Sequence, residues 1–227
     1  MLTVCTTYFK KPDAAPTALV RSCQRLGIRL KEFGTQNAHD TFLRTKLIPL
    51  HAFLAQVKTT HVMFIDGNDT FVLNDLDAIS ETYESLARGR VLIGSEVQAW
   101  PYKSKAALLE HLAHLKGSTS RYRFIDTGLI MGPTALVQQM LAVLIDSVEH
   151  YRKQYPAYSR RVLEDDVGLM VLNLCDGKVH PVIDYGCQII CALRNLEQEK
   201  YSVPVATFTA WRQTVIHTSS TVMVIAG

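Results

Sequence analysis

Short apolar runs alternate with amphipathic stretches along most of this chain. Apolar, β-branched runs predict strands, and apolar residues spaced three or four apart predict helices. Strands are predicted over residues 2–7, 28–33, 61–65, 91–94, 122–131, 179–183, 188–192 and 215–217. Helices are predicted over residues 16–26, 41–57, 74–88, 104–115, 133–155 and 163–174, and Pro49 should kink or split the second of them.

This alternation predicts an α/β fold with a mostly parallel central sheet flanked by helices. Continuous apolar runs such as His61–Ile65 are typical of strands that are buried on both faces. No linker, internal repeat or low-complexity tract interrupts the pattern. We therefore expect a single domain over residues 1–227.

Composition narrows the class of protein. The 227 residues are 48% hydrophobic and 20% charged, as in an ordinary globular protein. No apolar run approaches the roughly 18 residues that span a bilayer, and no basic segment precedes an apolar stretch at the start. The five cysteines are odd in number and form no C-x-x-C pair, so we expect reduced thiols. These features favour a cytoplasmic protein without a membrane partner, or one in the host cytoplasm if the source is viral.

An acidic pair follows the apolar run that ends at Ile65. Asp66 and Asp69 flank Gly67 and Asn68 at the predicted carboxyl end of a strand, where α/β sheets bind ligands. Two carboxylates there can bind a hard divalent cation, which in turn can bind a diphosphate. The same four residues are also typical of a plain polar turn, and local sequence leaves both interpretations open.

Other residues offer candidate chemistry, each with a structural alternative. Asp165 and Asp166 can orient or deprotonate a hydroxyl, or can simply form an acidic first helical turn. Asp126, inside an apolar segment, needs partners or a cavity. His217 can complete a metal shell or be structural, and Trp100 can pack against a sugar or base ring or anchor a loop.

Several common site motifs are absent from the sequence. The chain has no G-x-G-x-x-G, Walker A, H-E-x-x-H or G-x-S-x-G motif. Dinucleotide-binding, P-loop, zincin and serine-hydrolase functions therefore lose their main support.

The order of the remaining pieces resembles a known family. The chain is similar to the glycosyltransferase domain of procollagen lysyl hydroxylases and related collagen glycosyltransferases, which have a GT-A type fold. The similar stretches are residues 61–71, 94–101, 124–132, 163–168, 183–193 and 215–217. The opening strand also resembles that family's first strand, which meets the nucleotide base.

The resemblance implies a metal-dependent site for a nucleotide sugar. In that family, aspartates placed like Asp66 and Asp69 bind manganese together with a histidine placed like His217. The metal, Mn²⁺ or Mg²⁺, would hold the diphosphate of a UDP-sugar. The acidic pair Asp165 and Asp166 would lie near the sugar and the acceptor hydroxyl, as general base or as stabiliser of positive charge on the sugar.

The resemblance also implies donor contacts beyond the metal. They fall on Thr6, Thr7, Lys46, Trp100 and Asp126. The chain differs from the family at three places: Asn68 replaces an aromatic residue, Asp126 replaces an asparagine, and residues 167–168 are Val-Gly instead of Gln-Leu. The first difference means that the nucleotide base must stack differently here.

Two other functions and three acceptors stay open at this point. A haloacid-dehalogenase phosphatase would use an aspartate after an apolar strand, but its aspartates are spaced differently. A non-catalytic module could bind a nucleotide sugar or nucleic acid, which the net charge of +3 permits. For a transferase, the acceptor hydroxyl could belong to a protein, a small molecule or a hydroxymethylated base in DNA.

Overall fold

A computed structural model describes residues 1–7, 15–34 and 40–192, together with the backbone of 215–217. The strands are β1 (Leu2–Thr6), β2 (Leu30–Glu32), β3 (His61–Ile65), β4 (Thr70–Val72), β5 (Leu92–Glu96), β6 (Phe124–Pro133), β7 (Val182–Ile183), β8 (Ile190–Ala192) and β9 (Val215–His217). The helices are α1 (Ala18–Arg25), α2 (Ile48–Leu54), α3 (Leu76–Ala87), α4 (Ala106–Leu115), α5 (Thr134–Asp146), α6 (Val148–Gln154), α7 (Arg160–Leu163) and α8 (Asp166–Cys175).

The central sheet has six strands in the order β2-β1-β3-β6-β5-β7. The pairs β1–β2, β1–β3 and β5–β7 are parallel, so the prediction of a mostly parallel α/β sheet is confirmed. Strand β6 is the exception, because it runs antiparallel to both β3 and β5. As a result, the carboxyl ends of β1, β3 and β5 share one sheet edge with the start of β6.

Apolar clusters cover both faces of this sheet. Along β3, Val62 and Phe64 belong to one cluster, while Met63 and Ile65 belong to the other. All four side chains are buried, which explains why the strand reads as an uninterrupted apolar run. Helices α2, α5 and α8 pack on the first face, and α1 and α3 on the second.

The structure divides three of the predicted helices. The predicted helix 41–57 consists of a π-helical turn, Leu43–Leu47, that continues into α2 with Pro49 in its first turn. The predicted helix 133–155 is two helices, α5 and α6, separated at Ser147. The predicted helix 163–174 is interrupted by Glu164 and Asp165, which end α7 and begin α8.

A small second sheet lies beside the central one, with the strand order β4-β9-β8. Strand β4, which the sequence pattern did not predict, pairs antiparallel with β9 and sets the backbone of His217 opposite Thr70. The backbone of His217 therefore lies opposite the residue that follows Asp69. Within the described residues, the helices are too short or too polar to cross a membrane.

Candidate functional site

A cleft opens at the sheet edge where β1 and β3 end. The Asp66 amide donates to the Gly128 carbonyl at 2.9 Å, which fixes the end of β3 against β6. The cleft has a volume of about 170 Å³. Its lining residues are Thr7, Phe42, Thr45, Lys46, Asp66, Gly67, Asn68 and Asp69. The predicted acidic pair of the β3 end therefore shares one cavity with the lysine of the π-helical turn.

Lys46 connects the two acidic clusters that the sequence singled out. Its Nζ lies 2.8 Å from Asp66 Oδ1 and 2.5 Å from Asp166 Oδ2. The same ammonium donates to the Thr127 carbonyl at 2.9 Å and lies 5.0 Å from the centroid of the Phe64 ring. Only 2% of the residue is exposed, so this is a buried charge with two carboxylate partners.

The charges of this buried group stabilise one another. Burial alone lowers the pKa of Lys46, but the carboxylates of Asp166 and Asp66 outweigh burial and raise that pKa. Burial raises the pKa of Asp166, yet the Lys46 ammonium and the hydroxyl of Thr127, which donates at 2.6 Å, hold that pKa below its ordinary value. Lys46 and Asp166 are therefore charged together near neutral pH.

Asp165 has the opposite electrostatic character. It is the N-cap of α8, where its Oδ1 accepts from the Gly168 amide at 2.8 Å and its Oδ2 accepts from Trp100 Nε1 at 3.4 Å. Burial, and next the charge of Asp166, raise the pKa of Asp165 from 3.8 to about 7. A carboxyl group with that pKa can accept a proton from a substrate near neutral pH.

Of the five predicted donor contacts, two line the cleft and three do not. Thr7 and Lys46 line the cleft, whereas Thr6 is fully buried and its hydroxyl donates to the Ile65 carbonyl at 2.6 Å. Asp126 is 5% exposed, and its Oδ1 accepts from the Gly128 amide at 2.8 Å. Trp100 is 45% exposed and contacts the site through Asp165.

The structure describes the side chains of two of the three predicted metal ligands, and only the backbone of the third. Asp66 and Asp69 line the same cleft. The backbone of His217 pairs with Thr70, while its side chain lies outside the described residues. Among the side chains that the structure does describe, no three His, Cys, Asp or Glu residues are grouped as metal ligands.

Glu164 was not predicted as part of the site, yet it attaches the lysine-bearing turn to the acidic pair. This residue is fully buried, and its carbonyl accepts from the Leu43 amide at 2.9 Å, at the start of the π-helical turn. Its side chain accepts from the Thr41 hydroxyl at 2.5 Å, from Arg160 at 2.7 Å, and from Arg152. Burial opposes ionisation, but the hydrogen bonds from Arg160, Thr41 and Arg152 hold the pKa of Glu164 below its ordinary value.

We expect Glu164→Gln to destabilise the protein by about 3 kcal/mol, because the carboxylate is fully buried and an amide NH₂ in its place would face the donor groups of Thr41, Arg160 and Arg152. Equilibrium denaturation in urea measures this loss. Glu149→Gln is the matched control, since Glu149 also pairs with Arg152 but its side chain is 69% exposed. The control should cost at most about 1 kcal/mol. Equal losses in the two variants would contradict a structural role for burial of Glu164.

The fold is GT-A-like, and comparisons with known proteins identify the family of the chain. The family model described as "PLOD GT domain" matches residues 1–166. The chain belongs to this family of glycosyltransferase domains. The match extends from β1 to Asp166, so it contains every candidate site residue except His217. This membership replaces the phosphatase hypothesis.

A solved glycosyltransferase structure shares the fold. The crystal structure of mouse xyloside xylosyltransferase 1 in its apo form matches with a TM-score of 0.52 and 12% identity, covering 95% of this chain and 96% of that one. A glycosyltransferase involved in the glycosylation of the major capsid of PBCV-1 matches with a TM-score of 0.48 and 10% identity, over 95% and 92% of the two chains. No curated protein matches the chain by sequence.

Proposed function

We propose that this glycosyltransferase is metal-dependent and transfers a sugar from a UDP-sugar to an acceptor hydroxyl. The observation that carries the proposal is the buried Lys46 ammonium between Asp66 in the cleft and Asp166 beside Asp165. One charged network thereby joins a place for the donor diphosphate to a candidate base for the acceptor. UDP as the nucleotide rests on the family to which the chain belongs.

The residues at the cleft fit a hard divalent cation. Asp66 and Asp69 would supply carboxylate oxygens, and His217, whose backbone pairs with Thr70 next to Asp69, would supply an imidazole nitrogen. Oxygen ligands with one imidazole suit Mn²⁺, and oxygen ligands suit Mg²⁺. When bound, such a cation neutralises the negative charge that develops on the departing diphosphate.

The chain's own residues then position and activate the reactants. The Lys46 ammonium at the cleft wall attracts the diphosphate, and its bond to Asp66 keeps it at the cleft. Asp165 accepts the proton of the acceptor hydroxyl while the hydroxyl oxygen bonds to the anomeric carbon. The bond from that carbon to the diphosphate breaks, and the diphosphate leaves with the electron pair. Asp166 stays ionised and contributes to the raised pKa that makes Asp165 a base.

Free thiols support a reducing, cytoplasmic location as part of this proposal. All five cysteines, Cys5, Cys23, Cys175, Cys187 and Cys191, are unbridged, and four of them are buried. Reduced cysteines of this kind are typical of proteins in the cytosol.

Donor turnover tests the proposal. We expect slow release of nucleotide from one member of a panel of nucleotide sugars with Mn²⁺, and none in EDTA. Asp66→Ala and Asp69→Ala should each reduce this release at least about a hundredfold, because each removes a ligand of the cation. Asp75→Ala is a control, since Asp75 caps α3 through the Ala78 amide and does not line the cleft. Equal turnover in EDTA would overturn metal dependence, and turnover of a nucleotide sugar other than UDP would correct the donor.

A further inference from the structure

The connection between β5 and β6 lies at the edge of the sheet that carries the site. Strands β3 and β5 both pair antiparallel with β6, so they run in the same direction and end at the same edge. The connection, residues 97–123, leaves from that edge and returns to it. The Arg123 amide donates to the Glu96 carbonyl at 3.1 Å and closes the connection at its base.

The first part of this connection packs directly on the site. Trp100 donates to Asp165, and the Tyr102 hydroxyl donates to the Val162 carbonyl at 3.4 Å. Gly168 leaves room for this contact, because a Cβ there would lie 3.0 Å from Pro101 Cγ. Whatever binds at the start of the connection, around Trp100–Tyr102, therefore lies next to Asp165.

The connection is strongly basic. Its five Lys and Arg residues are Lys103, Lys105, Lys116, Arg121 and Arg123, and its one acidic residue is Glu110. The segment thus carries a formal charge of +4, whereas the whole chain carries +3. All five cations except Lys105 are exposed, and Lys105 is half-buried. Lys103, Lys116 and Arg123 form no ion pair with the carboxylates of the described residues.

Exposed aromatic rings accompany these cations. Trp100 and Tyr158 are 45% and 41% exposed, and the Tyr158 ring packs 5.3 Å from the ring of Tyr102 at the start of the connection. Cations attract any polyanion, but cations beside exposed rings suit a nucleic acid, whose phosphates pair with the cations and whose bases stack on the rings. An acidic peptide would use the cations and leave the rings without a matching partner.

From this juxtaposition we propose that the connection is a nucleic-acid binding surface and that the acceptor hydroxyl is carried by a nucleic acid. The inference rests on the proposed transferase function, and it names the acceptor of the same site. Phosphates along Lys103 and Lys116 would position the strand, while a hydroxyl on a base or sugar would reach Asp165. A hydroxyl on a base in a duplex would need to project from the groove or be flipped out.

Binding to nucleic acid is the first measurement, made by fluorescence anisotropy with a labelled duplex between about 50 and 200 mM salt. We expect the affinity to fall steeply with salt, since each phosphate contact contributes about −0.9 to the log–log slope. Lys103→Glu/Lys116→Glu should weaken binding at least about tenfold and reduce the slope by about two. Arg25→Glu/Arg29→Glu is the matched control, because it makes the same charge change at the opposite edge of the sheet, where α1 ends and β2 begins. The control should bind nearly as the unaltered protein does.

Sugar transfer is the second measurement, read as a gain of sugar mass on the acceptor with the donor found in the turnover panel. The acceptors are a duplex with hydroxymethylated pyrimidines, the same duplex unmodified, an RNA of the same sequence, and an acidic serine-containing peptide. We expect transfer to one of the hydroxyl-bearing nucleic acids; the modified duplex would identify a base as acceptor, and the RNA a ribose.

The outcomes separate this inference from the proposed function. Donor turnover without salt-dependent binding, or transfer to the peptide alone, would overturn the nucleic-acid surface and leave the transferase standing. Equal loss of binding in the control pair would also overturn the surface as a localised site. Binding that depends on Lys103 and Lys116 without turnover of any donor would support the surface and overturn the proposed transferase activity.

Discussion

Replacing Lys46 with methionine should lower the free energy of unfolding by about 3–5 kcal/mol. Methionine keeps most of the side-chain volume but removes the ammonium that pairs with Asp166 and Asp66. Asp166 is only 4% exposed, so its carboxylate would stay buried with the Thr127 hydroxyl as its main side-chain donor. Urea denaturation at neutral pH measures the loss.

Two further variants test whether the buried charge is the cause. Lys58→Met makes the same chemical change at an exposed residue and should alter stability by at most about 0.5 kcal/mol. Lys46→Met/Asp166→Asn removes both partners of the pair, and part of the lost stability should return, because a neutral amide costs less to bury than a carboxylate. A loss below about 1 kcal/mol in Lys46→Met would contradict the pairing described here.

Lys46→Met should also lose donor turnover, for a reason separate from its loss of stability. Without the ammonium, the cleft wall has no fixed positive charge among its described lining residues, which otherwise contribute the carboxylates of Asp66 and Asp69. A diphosphate would then meet two negative groups with only the bound cation between them. Lys46 is therefore expected to contribute both to stability, as the countercharge of buried carboxylates, and to function, as the positive charge that faces the donor diphosphate.

The sequence predicts those parts of the fold in which burial imposes a pattern of apolar residues. His61–Ile65 reads as a buried strand because both of its faces meet apolar clusters. Strand direction leaves no such pattern, so the antiparallel course of β6 was not predictable from its apolar residues. Strand β4 has only three residues and follows a turn at once, which gives too little periodicity to recognise.

Helix interruptions depend on contacts that are distant in sequence. Residues 133–155 have helical spacing throughout, yet the chain bends at Ser147, whose hydroxyl donates to the Leu144 carbonyl and accepts from Asn173 of α8. The bend thus follows a contact to α8, and not a local breaker such as proline or glycine. Pro49, by contrast, was expected to kink or split its helix, and the π-helical turn gives way to α2 next to it, with Pro49 in the first turn of α2.

The site residues that could be predicted from the sequence are the acidic residues at the ends of a strand and of a helix. Asp66, Asp69, Asp165 and Asp166 were recognisable as two acidic groups, but nothing in their spacing shows that Lys46 joins them. That lysine was named from the family resemblance, and its contact with Asp166 spans 120 positions of the sequence. Glu164 was not named as a site residue, because its bond to Thr41 spans 123 positions, and its bonds to Arg160 and Arg152, 4 and 12 positions away, look like ordinary local ion pairs.

Asp165→Asn is expected to reduce transfer by about 10²–10⁴-fold, the usual contribution of a general base. In the unaltered protein, kcat/KM should rise with pH and level off above an apparent pKa near 7, because the carboxyl group must lose its proton before it can accept one from the acceptor. Trp100→Phe removes a hydrogen-bond donor that favours the charged form of Asp165, so it should move the rise to higher pH. The pH profile of transfer with the best acceptor measures both effects.

Asp165→Asn should also make the folded protein more stable than the unaltered protein at alkaline pH. Burial and the charge of Asp166 raise the pKa of Asp165 in the folded state, so ionising this group opposes folding. Its contribution to stability is fully present below the ordinary pKa of 3.8 and is lost as pH rises through about 7. Asparagine cannot ionise, and it remains a good N-cap for the Gly168 amide, so the variant escapes that loss.

The stability advantage of Asp165→Asn over the unaltered protein should therefore increase between about pH 4 and pH 8 and then level off. Urea denaturation across this range measures it, with Asp75→Asn, an N-cap that lies outside the site, as the control. A base that weakens the fold when charged is retained for its chemistry, so lower activity together with higher stability would point to a catalytic role. A variant that lost stability at every pH would instead identify Asp165 as a purely structural cap.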